Sequence, residues 1–185
     1  MKFFTQSLIA GAVLAATASS AMADVSANVG VMSDYFYRGI VQNTTATTNG
    51  GVDYENGGFS AGTWAADVED GLEIDLYGSY GIETEGGLGL SAGFTGYYYT
   101  GDFDETYEEI NLGLSFGIFS LEHSIGTYDG DDSDYTFTAV TLEKNGFYGK
   151  FGSFGKDFEG SYVEVGYGTE IGGFDAGVSL VVNDE

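Results

Sequence analysis

Apolar and polar residues alternate along most of the chain, in runs of eight to twelve residues between positions 25 and 182. The clearest run extends from Leu72 to Glu83, where Glu73 and Asp75 lie between leucine and isoleucine residues. Successive side chains of a strand point to opposite faces, so each run predicts a strand with one apolar and one polar face. Only the run 134–143 carries apolar residues on both parities, which leaves its faces unassigned. No stretch keeps a helical period, and the sequence therefore predicts an all-β chain.

Short and long connections separate these runs in turn. Five connections are short and glycine-rich, for example Lys144-Asn145-Gly146 and Gly172-Gly173, and they recur about every thirty residues. The longer and more acidic segments are 39–47, 67–71, 100–106, 129–134 and 155–159. Short turns at one end and long loops at the other are typical of outer-membrane β-barrels.

The first 23 residues have a different character. Lys2 gives a positive start, an apolar run follows from Leu8 to Ala16, and Ala21-Met22-Ala23 forms a small-residue cleavage site before Asp24. The apolar run is too short to cross a membrane as a helix. We therefore expect a secretory signal peptide over 1–23 and a single domain over 24–185, with a retained N-terminal anchor as the alternative.

Charge and composition narrow the possible functions. The chain has 29 acidic and 5 basic residues, a net charge of −24 that becomes −25 without Lys2. A chain this acidic is not expected to bind nucleic acid. It contains no cysteine, which excludes a disulfide framework, a thiolate metal site and a cysteine nucleophile. The absence of proline and the 31 glycines suit uninterrupted strands joined by tight turns.

Aromatic residues concentrate at both ends of the predicted strands. Those on the long-loop side are Tyr35, Phe36, Tyr37, Tyr97, Tyr98, Tyr99, Tyr107, Tyr128, Tyr135, Phe154 and Tyr162. Those on the short-turn side are Tyr54, Phe59, Phe116, Phe119, Phe147, Tyr148 and Phe174. Two belts around an aliphatic band are typical of girdles at the two membrane interfaces. The alternatives are ordinary core or cross-strand packing, and a soluble barrel or sandwich, which would alternate in the same way.

Several segments in the first half of the chain resemble a known family. They are Ser26–Ile40, with the motif Ser33-Asp34-Tyr35-x-x-Arg38-Gly39, and then Gly50–Tyr54, Gly58–Ala65 and Glu73–Gly78. They resemble the TorF family of proteobacterial porins, which is of the Gcw_chp type. The resemblance is sharpest from residue 24 to about 83 and rests on hairpin rhythm beyond that. It implies an outer-membrane barrel with a pore, in a family whose substrates are poorly defined.

The strand count departs from the usual barrel pattern. Eleven strands can be counted, whereas single-chain bacterial barrels have an even number. Such barrels usually close with a strand that ends in an aromatic residue, but this sequence stops at Val182-Asn183-Asp184-Glu185. We expect a barrel of about twelve strands whose last strand is missing, because the strand 174–182 would otherwise be an unpaired edge in lipid. A miscount is the alternative.

Charged residues on the polar parity are the candidate functional residues. They are Asp34, Arg38, Glu73, Asp75, Glu109, Glu122, Lys150 and Glu164. If the apolar parity faces lipid, these side chains line a net-acidic lumen, which favours cations. Side chains that only hydrate the lumen would give the same pattern. Glu73 and Asp75 are the leading candidates for setting the preference, and Asp34 is a candidate partner for Arg38.

Metal and catalytic chemistry have weak support. Asp129, Asp131 and Asp134 are weak calcium candidates in an acidic loop that lacks the glycine and glutamate of a calcium-binding loop. His123 is the only histidine and shares its parity with apolar residues. There is no nucleophile elbow and no third triad member. We therefore predict no enzyme activity, no metal site and no cofactor.

Together these features predict an antiparallel transmembrane β-barrel in the outer membrane of a Gram-negative bacterium. It is expected to let small hydrophilic solutes or cations diffuse through a polar lumen, and to contact outer-membrane lipid and lipopolysaccharide. One alternative is a non-transporting structural or adhesin-like barrel with a filled lumen. Another is a soluble periplasmic β-barrel that binds a ligand. The solute and the oligomeric state are not predicted.

Overall fold

The computed structural model describes residues 24–184, which form thirteen β-strands. The predicted signal peptide at 1–23 lies outside the described residues. The strands are β1 (Asp24–Met32), β2 (Tyr35–Tyr37), β3 (Ile40–Asn43), β4 (Thr47–Asn56), β5 (Phe59–Val68), β6 (Gly71–Glu83), β7 (Leu88–Tyr99), β8 (Tyr107–Phe116), β9 (Phe119–Tyr128), β10 (Ser133–Lys144), β11 (Phe147–Lys156), β12 (Ser161–Ile171) and β13 (Phe174–Asn183). Within this part of the chain, no helix is long and apolar enough to cross a membrane.

Eleven of the strands form one antiparallel sheet in the order β1-β4-β5-β6-β7-β8-β9-β10-β11-β12-β13. β4 pairs with β1, each strand from β4 to β12 pairs with the next strand in sequence, and β2 and β3 form a separate two-stranded sheet. The edges of the large sheet are β1 and β13, and the sheet does not close between them within 24–184. The predicted all-β antiparallel architecture is confirmed at this level.

Tight turns occupy one end of the sheet. The turn Asn145-Gly146 has φ angles of 55° and 82°, and Gly172-Gly173 has 62° and 86°. Two successive positive φ angles are typical of the type I′ turn, whose twist matches that of paired antiparallel strands. Asparagine and glycine adopt this conformation at low cost, which is why the sequence predicts these turns correctly.

The opposite end carries longer connections, with one exception. The segments 100–106, 129–132 and 157–160 connect strands near the predicted positions. In contrast, β5 and β6 extend until only Glu69 and Asp70 join them, so the predicted loop 67–71 is too long. Val68 pairs with Gly71 across this turn. Gly71 has a φ of 113°, a conformation that residues with a Cβ rarely adopt, and this permits the tight connection.

The main correction to the sequence prediction lies between Met32 and Thr47. These two residues pair as β1 meets β4, so residues 33–46 leave the sheet and return at the same place. They contain the β2–β3 hairpin, whose two-residue turn is Arg38-Gly39. We call residues 33–46 the inserted hairpin. The sequence predicted a loop over 39–47 and no hairpin here, because arginine is an unusual residue for a turn with positive φ.

Burial is the reverse of that in a water-soluble protein. In β6, Leu76 and Ile82 are 47% and 53% exposed, whereas Glu73 and Asp75 are each 1% exposed. Other strands also expose their outward apolar residues, including Val52, Phe94, Ile110, Phe151 and Val163. Soluble proteins normally bury aliphatic side chains and expose carboxylates. The polar parity therefore lines the interior, and the apolar parity covers the outside.

The inserted hairpin lies across this polar inner face. At one side Tyr35 packs edge-on against Trp64 of β5, with ring centroids 5.7 Å apart. At the other side Asn183 of β13 donates a hydrogen bond of 2.9 Å to the carbonyl oxygen of Gly39. A short segment that touches strands so far apart in the sheet requires the sheet to curl around it. The architecture is therefore barrel-like, with a filled interior.

Candidate functional site in the interior of the sheet

Arg38 lies at the tip of the inserted hairpin and is 8% exposed. Its φ of 49° lies in the left-handed region, which costs free energy for a residue other than glycine. Gly39 follows with a φ of 86° and lies directly beneath Tyr162. A Cβ at position 39 would lie only 2.6 Å from the Tyr162 Cβ, so glycine is needed for both conformation and space. Contacts of the Arg38 side chain must therefore stabilise this turn.

The guanidinium of Arg38 has partners on several strands. Nη1 and Nη2 donate to Oε1 and Oε2 of Glu109, the second at 3.0 Å, which makes a bidentate ion pair. Nη2 also lies 3.2 Å from Glu122 Oε1 and 3.1 Å from Ser124 Oγ. The ring centroid of Phe137 lies 4.1 Å from the guanidinium carbon. Bidentate, charge-assisted bonds and ring stacking are the contacts that favour arginine over lysine.

Glu109 is 3% exposed and accepts further hydrogen bonds. Tyr135 donates to it at 2.7 Å, Asn111 at 2.8 Å and Tyr97 at 3.3 Å. A buried ion pair is tolerated when geometry is good and the remaining lone pairs are satisfied, as they are here. We call Arg38, Glu109 and the groups bonded to them the Arg38 cluster.

Charge is nearly balanced within the Arg38 cluster. Burial by itself lowers the pKa of Arg38, but neighbouring groups that include Glu109 and Glu122 outweigh it and hold the guanidinium pKa well above its ordinary value. Lys150 Nζ lies 4.0 Å from Glu122 Oε2 and extends the network. The two interior cations, Arg38 and Lys150, are therefore both engaged with Glu109 and Glu122.

Glu73 and Asp75 form a second acidic group, which we call the carboxylate pair. Tyr35 donates a hydrogen bond of 2.5 Å to Glu73 Oε1. Burial raises the pKa of the Tyr35 hydroxyl, and the charge of Glu73 adds to the rise, so Tyr35 remains a donor. Glu73 Oε2 and Asp75 Oδ1 are buried and have no hydrogen-bond partner among the described residues.

A model of a bacterial protein family, Gcw_chp, matches residues 15–179. The chain belongs to the Gcw_chp family. That family is described as bacterial proteins of unknown function. No curated protein and no solved structure gave a significant match. The Gcw_chp part of the resemblance is thus confirmed, and the TorF and porin part stays a prediction.

Asp34 and Glu164 are two further predicted lining residues of this Gcw_chp protein. Asp34 is exposed and accepts a hydrogen bond of 2.8 Å from Ser33, so it does not pair with Arg38 as the sequence suggested. Glu164 is 4% exposed and accepts a hydrogen bond of 2.5 Å from Tyr148. The structure therefore brings Arg38, Glu109, Glu122 and Lys150 together, with Glu164 paired across the sheet with Lys150. It also places Glu73 and Asp75 side by side on β6, while Asp34 lies elsewhere. Whether these residues line a conducting pore stays a prediction.

Aromatic residues surround the inserted hairpin on the long-loop side. Tyr35, Tyr97, Tyr135 and Tyr162 are all less than 5% exposed. These residues therefore pack inward and do not form the outward girdle that the sequence predicted at this end. The prediction was wrong for these four residues because the sequence analysis grouped aromatic residues by position along the strands without regard to parity, whereas Tyr98 at the same end is 37% exposed. At the short-turn end, the outward aromatic residues are Tyr54, Phe59, Phe116, Phe147 and Phe174, which are 36–78% exposed.

Sequence reasoning missed the neutral members of the Arg38 cluster. Asn111 follows Glu109 by two positions and shares its face, so the parity of β8 could have identified it. Ser124 shares the parity of Glu122 on β9 in the same way. Phe137 lies on β10, where Tyr135, Phe137 and Ala139 face inward and Val140 and Leu142 do not. These positions assign the two faces of β10, which the sequence left unassigned.

The weak metal candidates do not assemble into a site. Ser133 donates a hydrogen bond to Asp131, and Asp134 lies 3.6 Å from Lys156 Nζ. Within residues 24–184, no group of three or more histidine, cysteine, aspartate or glutamate residues has the arrangement of a metal site. His123 lies 2.9 Å from Thr138 Oγ1, its cross-strand neighbour.

Proposed function

We propose that this Gcw_chp protein is an integral outer-membrane β-barrel that acts as a passive porin for small hydrophilic solutes and prefers cations. The inverted burial carries the proposal. A continuous apolar face of this extent would associate in water, because soluble monomers rarely expose apolar patches larger than a few hundred Å². Lipid is the environment that stabilises such a face on a barrel.

The aromatic residues at the short-turn end support the same orientation. Phe59, Phe116, Phe147 and Phe174 project outward where the strands end, and Phe147 packs on Tyr167 with ring centroids 4.5 Å apart. Aromatic side chains are favoured at the boundary between lipid tails and headgroups. We therefore assign this end to the periplasmic interface and the opposite end to the cell surface.

The interior charge supports a preference for cations. Acidic side chains exceed basic ones on the inner face, and no basic residue in the described part of the chain forms an ion pair with the carboxylate pair. An open depression of about 620 Å³ at the loop end is lined by residues that include Asp67, Glu69 and Asp70, so this end of the sheet also carries negative charge. Fixed negative charge in a low-dielectric passage concentrates cations and repels anions.

A non-transporting barrel, structural or adhesin-like, is the second candidate, and the inserted hairpin favours it. The hairpin crosses the inner face and is bonded to strands on both sides, so solutes must pass beside it or displace it. Small barrels also have little interior volume beyond their own side chains. The third alternative, a soluble periplasmic ligand-binding barrel, has less support because its apolar outer surface would face water.

Membrane location is tested by fractionating cells that express the full chain. We expect the protein to remain in the outer-membrane fraction after carbonate washing. We also expect its heated and unheated samples to migrate differently on a gel, as those of folded barrels do. Recovery in the soluble periplasm would overturn the membrane proposal.

Conduction is tested in planar bilayers under a salt gradient. We expect a small conductance with a cation-selective reversal potential, and a larger conductance for Arg38→Ala because the hairpin loses its ion pair. Lys144→Ala is the matched control, since it removes an exposed positive charge from the short-turn end. Absence of conductance for all three proteins would favour the structural or adhesin-like barrel.

A further inference from the structure

We propose that Glu73 and Asp75 form an internal binding site for a hard divalent cation of the Ca²⁺ or Mg²⁺ class. The two residues are separated by one position in β6, so both side chains project from the same inner face. Each is only 1% exposed. Carboxylate oxygens are the ligands that such cations prefer.

The hydrogen bonding of the carboxylate pair is incomplete. Tyr35 satisfies one oxygen of Glu73, while Glu73 Oε2 and Asp75 Oδ1 are buried without a partner in the described part of the chain. Native proteins rarely leave buried polar atoms unpaired, and each unpaired atom costs free energy. Two such oxygens on one face are the arrangement that an added cation would satisfy.

No ion pair among residues 24–184 gives this pair a positive partner. The ion pairs formed within 24–184 join Arg38 to Glu109 and Glu122, Lys150 to Glu122, and Lys156 to Asp134. None of them includes Glu73 or Asp75. Binding of a cation would favour the ionised form of both carboxyl groups, and two carboxylates carry the charge that one divalent cation neutralises.

The surroundings distinguish this pair from the acidic surface loops. Asp75 is paired across the sheet with Trp64 on one side and Tyr97 on the other, and both rings are less than 5% exposed. Their low-dielectric surroundings strengthen the attraction of a cation to the pair. In contrast, the loop residues Asp129 and Asp131 are exposed, and water screens their charge.

Cation binding does not depend on conduction or on cellular location, so it can be tested separately from the proposed function. The chain has a single tryptophan, Trp64, which lies opposite Asp75 and reports on the site. The full chain, folded in detergent micelles and depleted with EDTA, is titrated with CaCl₂ and with MgCl₂ at constant ionic strength. Tryptophan fluorescence and titration calorimetry are recorded together.

We expect a saturable fluorescence change and about one bound ion per chain for at least one of the two cations. Glu73→Gln and Asp75→Asn should each weaken binding by roughly tenfold or more, because each removes a charged ligand. A loop variant with Asp129→Asn, Asp131→Asn and Asp134→Asn is the control and should bind like the parent. Circular dichroism of every variant verifies that the β-structure is retained.

Three results would overturn the proposal. The first is no saturable response to either cation in the parent chain. The second is equal loss of binding in the loop variant, which would place the ion at the surface. The third is unchanged affinity in folded Glu73→Gln and Asp75→Asn proteins.

Discussion

The Arg38 cluster and the carboxylate pair lie on the same inner face but satisfy their buried charge in opposite ways. Glu109 receives a bidentate arginine and hydrogen bonds from Tyr135, Asn111 and Tyr97. Glu73 receives one hydrogen bond from Tyr35, and Asp75 has an unpaired buried oxygen. The difference shows that burial of a carboxylate does not by itself define its role. The fully bonded Glu109 stabilises the fold, whereas the unpaired oxygens of Glu73 and Asp75 are able to bind a ligand.

Mutations in the two groups should therefore change the stability of the protein in opposite directions. In the Arg38 cluster, loss of one partner leaves the other charge buried and alone. In the carboxylate pair, replacement by amides removes the cost of ionising two buried carboxyl groups in the cation-free protein.

The largest effect is expected for Arg38→Met. It leaves Glu109 buried without its cation, which we expect to lower the free energy of unfolding by roughly 3–5 kcal/mol. Urea unfolding of the full chain in detergent or lipid measures it. The double variant Arg38→Met with Glu109→Met should lose less free energy of unfolding than Arg38→Met alone, because it leaves no unpaired buried charge in place of this ion pair. Equal losses in the two variants would mean that the ion pair is not the stabilising contact.

A smaller loss of stability is expected for Gly39→Ala, which changes the turn that positions Arg38. The new Cβ would require an unfavourable positive φ and would contact Tyr162, so we expect destabilisation of roughly 1–3 kcal/mol. Gly149→Ala is the control, since a Cβ there meets nothing within 4 Å. It should change stability by no more than about 0.5 kcal/mol. Similar results for the two variants would contradict the close packing of the hairpin.

The double variant Glu73→Gln with Asp75→Asn is expected to gain free energy of unfolding, in contrast to the variants of the Arg38 cluster. In EDTA at alkaline pH, where the two carboxyl groups of the parent chain ionise, it should stabilise the protein by roughly 1–2 kcal/mol, because the uncompensated buried charge is removed. Saturating Ca²⁺ or Mg²⁺ should stabilise the parent chain and not the variant. Destabilisation in EDTA would show that the two carboxylates are already compensated.

The smallest change is expected in ion selectivity. The same double variant should shift the reversal potential toward zero under a salt gradient and leave a residual cation preference, because other interior acids remain. The variant Glu83→Gln, which removes an exposed charge at the short-turn end of β6, is the control. An unchanged reversal potential in the double variant would remove Glu73 and Asp75 from the selectivity mechanism.

Local patterns predicted much of the fold. Alternation identified the strands of the large sheet and placed Glu73, Asp75 and Glu109 on the inner face. Turns such as Asn145-Gly146 were also predicted, since their residue types favour positive φ. The inserted hairpin was missed because β2 continues the alternation of β1, β3 lies in the segment predicted as a loop, and the turn contains Arg38.

The Arg38 cluster was less predictable because its contacts are distant in sequence. Glu109 is 71 positions from Arg38, and a single sequence gives no sign of that pairing. The carboxylate pair was identified as a pair, since both members lie on one strand. Its incomplete hydrogen bonding depends on how Tyr35 reaches it from the hairpin, which only the structure provides.

The central claim is that the apolar parity faces lipid while the polar parity faces a filled interior. The chain has no cysteine, so Leu76→Cys and Ser79→Cys introduce single labelling sites on the two faces of β6. Each full-length variant is labelled with bimane, inserted into bilayers and exposed to lipids that carry a quencher in their acyl chains. We predict strong quenching at position 76 and little at position 79. The Oγ atom of Ser79 lies 2.7 Å from the Oγ atom of Ser60 on the inner face. Equal quenching at both positions, or none at position 76, would contradict the claim.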